Sequence, residues 1–231
     1  MSRHIIRILL CAWVCCALPV VKAEAAAKVH TVVFGKWNMV SWLAGTTAAE
    51  KPQGLKVRAL IVDERVKEYT LGMPHDVTDR LFVVRRAFRV NDSLPEDSGV
   101  HWQWQRGGWL LVDRVNGRVS AINLPEFDVL YSAASWYRDY VAYCGVSDDG
   151  RNIYVMVAQI SRRKPVLKKE LSKDGIPEDA APDSACPMPT WERAPMRVTF
   201  EPKGAGKQTF AIRGHVVDMV NDSEDDEEAS K

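Results

Sequence analysis

The sequence predicts an all-β chain built of antiparallel sheets, and three observations carry that expectation. Apolar residues recur at every second position through most of the chain, and they are rich in β-branched and aromatic types. Turn chemistry in Gly, Asn, Asp and Pro separates these runs. Amphipathic runs of helical period longer than about two turns are missing. The one weak helical candidate, 40–50 (VSWLAGTTAAE), is undercut by Gly45 and two threonines.

In chain order, alternation places strands at 29–34, 55–62, 66–71 and 81–90. The stretch 109–124 (WLLVDRVNGRVSAINL) reads as a hairpin around Asn116-Gly117, because a type I′ turn needs positive φ at both central residues. A second hairpin spans 139–160 and turns at Asp148-Asp149-Gly150. A third turn at Arg162 to Pro165 precedes VLKKEL, and 196–212 turns at Gly204-Ala205-Gly206. The Pro-containing stretches 91–99 and 172–195 read as surface connections.

The segment 136–160, WYRDYVAYCGVSDDGRNIYVMVAQI, resembles one blade of a bacterial β-propeller: an aromatic-rich strand, a Ser-x-Asp-Gly turn and an apolar strand. That resemblance implies propeller-like blades. The strand count suffices for only three or four of them, so the expected form is a small or incomplete β-propeller, with a β-sandwich as the alternative.

The two ends differ from the body. Arg3, His4 and Arg7 precede an apolar run at 8–21, and Val21 and Ala23 suit the −3 and −1 positions of a cleavage site before Glu24. Residues 1–23 therefore read as a secretory signal peptide, too short for a comfortable transmembrane span. At the other end, 222–231 (DSEDDEEASK) holds six carboxylates against Lys231, and is expected to be a disordered acidic tail. A single domain, 24–221, lies between them. The near-neutral charge of the whole chain, +1, thus hides a body at +3. That value argues against nucleic acid as a partner.

After cleavage only Cys144 and Cys186 remain, an even pair in an oxidising compartment, and a structural disulfide is expected. It would close a loop of about 43 residues, for about 4 kcal/mol in the chain-entropy model.

Two segments offer site chemistry. In HWQWQRGGW, 101–109, strand alternation puts Trp102, Trp104 and Arg106 on one face and His101, Gln103 and Gln105 on the other, ahead of a tight Gly107-Gly108 turn. Core packing of both indoles is the plain expectation. The alternative is a ligand surface where Arg stacks on Trp beside a sugar or aromatic ring. In 74–88, His75, Asp76 and Asp79 have types suited to acid–base work, although the plain expectation is an Asp-capped turn entering a strand. Arg85 and Arg86 fall on opposite strand faces.

Gly-x-Ser-x-Gly, His-Glu-x-x-His and phosphate-loop patterns are absent. The expectation is an exported protein, secreted or periplasmic, without cofactor, metal or membrane span after signal cleavage, that binds a protein or glycan partner and is not an enzyme. The competing reading is an extracytoplasmic hydrolase or lyase, and it needs residues 75–80 to converge with His101.

Overall fold

Period two is realised along fifteen strands in a computed structural model that describes residues 29–42, 53–96, 98–147, 152–171, 186–203, 206–214 and 216–220. The expected signal segment, the acidic stretch 222–231, the 148–150 turn and most of the 172–195 connection lie outside the described residues. Among the described residues there is no helix, and the chain is all-β in three sheets.

The first sheet has seven strands: β1 (Val32–Phe34), β2 (Asn38–Trp42), β3 (Gln53–Val62), β4 (Arg65–Asp76), β5 (Leu81–Asn91), β6 (Trp102–Asp113) and β7 (Val119–Ile122). Its pairings β2–β3–β4–β5–β6 return on themselves, since β2 meets β6 at Trp42 and Trp104. That contact is parallel, whereas every other pairing is antiparallel. The weak helical candidate at 40–50 begins inside β2, where Val40 and Trp42 turn toward Leu55 and Val57. Tertiary burial of alternate side chains decides the state there.

The second sheet is a four-stranded meander of β8 (Ser135–Tyr137), β9 (Tyr140–Val146), β10 (Ile153–Gln159) and β11 (Leu167–Leu171). The third repeats that form with β12 (Thr190–Arg193), β13 (Met196–Phe200), β14 (Gln208–Arg213) and β15 (Val216–Val220). The second sheet is the middle layer. Val141, Tyr143, Met156 and Ala158 pack toward Trp109 and Ile122 of the first sheet. Ala142, Cys144, Val155 and Val157 pack against Val198, Phe200, Phe210 and Ile212 of the third. Burial on both faces explains why YVAYCGV and IYVMVAQ are almost continuously apolar rather than alternating.

The long first sheet carries different clusters on its two faces. On β5, Phe82 and Val84 point to a cluster with Leu60, Leu110 and Val112, while Ala87 points to one with Trp42, Leu55, Val57 and Leu71. Arg58, on the former side, lies between Phe34 at 3.9 Å and Trp37 at 4.3 Å, and burial lowers its pKa.

Two turns depart from expectation. At Asn116-Gly117 only Gly117 is left-handed (φ 65°), so the type I′ turn does not form. The loop instead closes through Gly117 N donating to Asp113 O (2.9 Å), and the Asp113 carboxylate accepts Val115 N (2.8 Å) and Asn116 N (3.3 Å). Glycine is needed at 117, because a Cβ there would lie 2.8 Å from Val62 Cγ1. The type I′ φ signature falls at Asp63-Glu64 (φ 49° and 64°), between β3 and β4. Asp63 is held by the N-terminal segment: Thr31 N donates to Oδ1 (3.1 Å), and His30 Nδ1 lies 2.8 Å from Oδ2. The expected Gly107-Gly108 turn is also absent. Both glycines sit inside β6, where the β5–β6 register shifts between Arg85 and Ala87. A Cβ at Gly107 would come within 3.2 Å of the Arg86 carbonyl oxygen, so the pair marks a bulge with close backbone approach.

Candidate functional site

A cross-strand row runs over one face of the first sheet, from Val57 through Leu71 and Arg85 to Trp109 and Ile122. Directly paired residues share a face, so Arg85 is a cation set in an otherwise apolar row. Beside it, the Ala87–Arg106 pair puts Arg106 on the same face, with its guanidinium 4.0 Å over the Trp42 ring.

This face is the floor of a cleft of about 530 Å³. Leu55, Leu71, Arg85, Arg106 and Trp109 form the floor, and Gly72 and Met73, in the irregular stretch of β4 before His75, form one rim. The roof comes from far along the chain, from Leu130, Ser132, Ala133 and Ala134 and from Cys186, Pro187 and Met188. Three fastenings hold it. Arg85 Nη2 donates to the Val129 carbonyl (2.6 Å), and Ser132 Oγ donates to the Cys144 carbonyl (2.7 Å). Cys186 is bonded to Cys144 of the middle sheet, with Cα atoms 6.2 Å apart, as a disulfide allows. The expected Cys144–Cys186 pair is therefore present, and it anchors one wall of the cleft.

The described residues lining the cleft are neutral or basic, with Lys56, Arg85 and Arg106 as the cations. Trp109 meets Trp136 edge-on at 5.2 Å, and its buried indole N–H has no acceptor among the described residues. A buried donor without a partner is uncommon in folded proteins and marks a position to explain.

Trp102, Trp104 and Arg106 do share a face, as alternation requires, but with different surroundings. Trp104 packs into the Trp42 cluster, edge-on to Tyr69 at 5.1 Å, whereas Trp102 is 58% exposed. Core packing therefore holds for one indole only. Arg106, the cation of that face, lies over Trp42. Arg89 takes its place, 5.5 Å from both rings, because it pairs directly with Trp104.

His101 is exposed, and its backbone N is held by Asn91 Oδ1 (3.1 Å) and Ser93 Oγ (2.7 Å). His75 donates from Nε2 to the Arg138 carbonyl (2.9 Å) and stacks on Trp136. Asp76 pairs with Arg114 (2.6 Å), and the exposed Asp79 offers its carbonyl to the same guanidinium (3.3 Å). His75 lies opposite Val83 at one end of β5, while Trp102, next to His101, lies opposite Asn91 at the other. At about 3.3 Å per residue the two histidines are roughly 25 Å apart, so the convergence required by the hydrolase reading does not occur. Among the described residues no three His, Cys, Asp or Glu side chains form a group able to hold a metal.

The chain matches no known protein family, no curated protein and no solved structure.

Proposed function

We propose that this chain is an exported binding protein, without catalytic activity, whose ligand occupies the cleft between the first sheet and the 130–134 and 186–188 segments. The observation that carries the reading is the roof: a concave site of about 530 Å³ has one wall pinned covalently through Cys186. Concave sites of this size suit small ligands. The disulfide fits an oxidising compartment, and so supports export to a secreted or periplasmic location. Binding is favoured over turnover because, among the described residues, the lining holds no carboxylate and no histidine, and its one hydroxyl, on Ser132, already donates to Cys144.

In this reading the two four-stranded meanders are blade-like layers of an incomplete propeller, while their face-to-face stacking suits a sandwich as well. Trp102, exposed on the face that also bears Arg106, is where a protein or glycan partner would make contact.

The test is fluorescence titration with the neutral apolar probe N-phenyl-1-naphthylamine. Saturable binding at one probe per chain is expected, and the half-buried Ala133, changed to Trp, should abolish it without changing the far-UV spectrum. Probe binding that Ala133→Trp leaves unaltered would place the ligand elsewhere.

A further inference from the structure

We infer that the partner at Trp102 is a glycan of equatorially substituted pyranose units, of the glucose or N-acetylglucosamine type, with one sugar ring stacked on the exposed indole. The inference rests on the reading of Trp102 as the partner contact and adds the chemistry of that partner. The cleft plays no part in it.

An exposed indole alone carries little, since single apolar side chains on a surface are ordinary. At the open end of the β5–β6 hairpin, however, Trp102 has neighbours that make it a built surface. Asn91 pairs with it directly across the two strands. Asp92 N donates to the His101 carbonyl (2.9 Å), so the adjoining Asn91–Trp102 pair belongs to the non-hydrogen-bonded class. Side chains approach most closely in that class, with Cα atoms about 4.5 Å apart.

The exposed Asn91 carboxamide is fixed in one orientation. Its Oδ1 accepts Ser93 N (3.2 Å), Ser93 Oγ (2.6 Å) and His101 N (3.1 Å). Two of these donors are backbone N–H groups, so the amide holds only one way round, with Nδ2 left as a donor. Among the described residues Nδ2 has no acceptor. Arg89 stands two residues earlier on the same face, exposed and 5.5 Å from both the Trp102 and Trp104 rings. Those rings position its guanidinium, whose N–H groups add donors on the β5 side of the indole. Trp104, packed into the Trp42 cluster, is the anchored end of this stack. The platform therefore stands on paired strands rather than on a loop, and is set before any ligand arrives.

An apolar plate with donors along one edge is met by a molecule with an apolar face and acceptors around its rim. An equatorially substituted pyranose has both. Its axial C–H groups lie on the ring faces, where they meet the negative face of an indole, and its oxygens lie around the edge. A plain aromatic ligand has the face without the acceptors.

The test is isothermal titration of the full-length chain with cellohexaose and with chitohexaose. Saturable binding of at least one is expected, accompanied by a shift of the Trp102 indole resonance. Trp102→Ala should weaken it at least about tenfold. Asn91→Asp keeps the oxygen that holds the loop and removes the donor, and should weaken it about fivefold. The far-UV spectra of both variants should match that of the unaltered chain, since both positions are exposed. Binding of neither sugar, or binding that Trp102→Ala leaves unaltered, overturns the glycan inference and returns Trp102 to a protein partner. Binding of N-phenyl-1-naphthylamine separately decides the cleft reading, which stands or falls without the sugars.

Discussion

At the scale of single residues, Asp113 shows how one carboxylate joins turn and sheet. Arg80 Nε lies 2.9 Å from each of its oxygens, and the turn amides of Val115 and Asn116 reach Oδ1. The Arg80 hydrogen bond, opposed by burial and aided by the turn amides, brings the carboxyl down to about 2, below the usual carboxylate range. A depressed folded-state pKa contributes stability above the unfolded value, and that contribution is lost as pH falls toward the folded value. Asp113→Asn should therefore lower Tm near neutral pH. The gap from wild type should close as pH drops from about 4 to about 2. Thermal unfolding across that range checks it, and a gap independent of pH would show that shape rather than charge holds the turn. None of this was legible in the sequence, because Arg80 and Asp113 are 33 positions apart and meet only across β5 and β6.

At the scale of elements, β6 separates what alternation can and cannot say. That Trp102, Trp104 and Arg106 share a face follows from period two alone. How deep each indole lies does not, because depth depends on β2 arriving at Trp104 and ending there. Trp104→Ala should accordingly destabilise by about 3 kcal/mol through a poorly filled cavity beside Tyr69 and Trp42. Trp102→Ala, at the exposed end, should stay within about 0.5 kcal/mol. Urea unfolding midpoints distinguish the two, and equal costs would contradict the burial described. The turns teach a related lesson. Asn116-Gly117 carries the strongest local hairpin signal, yet packing of Gly117 against Val62 and His30 selects a wider loop. Asp63-Glu64 carries little signal, and its left-handed pair is held by His30 and Thr31, whose approach no local rule reveals. Strand β12 is hidden for the same kind of reason. It is short, follows a Pro-rich stretch, and is stabilised by pairing with β13.

At the scale of the whole molecule, the first sheet and two later connecting segments make the cleft. The all-β character and the Cys144–Cys186 bridge are both readable from the sequence: the first from period two, the second from the two cysteines that lie outside the apolar N-terminal run. The cleft is not readable, since its floor comes from β3 to β6 and its roof from segments up to about 130 residues later. Arg85, which reads in sequence as one of a split pair of arginines, becomes central only once the ladder aligns it with Leu71 and Trp109. Arg86, on the opposite face, is neutralised by Glu68 at 3.0 Å. The most direct measurement is the indole N–H resonance of Trp109, assigned with Trp109→Phe, followed during titration with N-phenyl-1-naphthylamine. A cleft that binds its ligand beside Trp109 gives a shift that saturates at one probe per chain while the Trp102 indole stays fixed. A Trp109 resonance that does not move at saturating probe, or movement confined to Trp102, would contradict it.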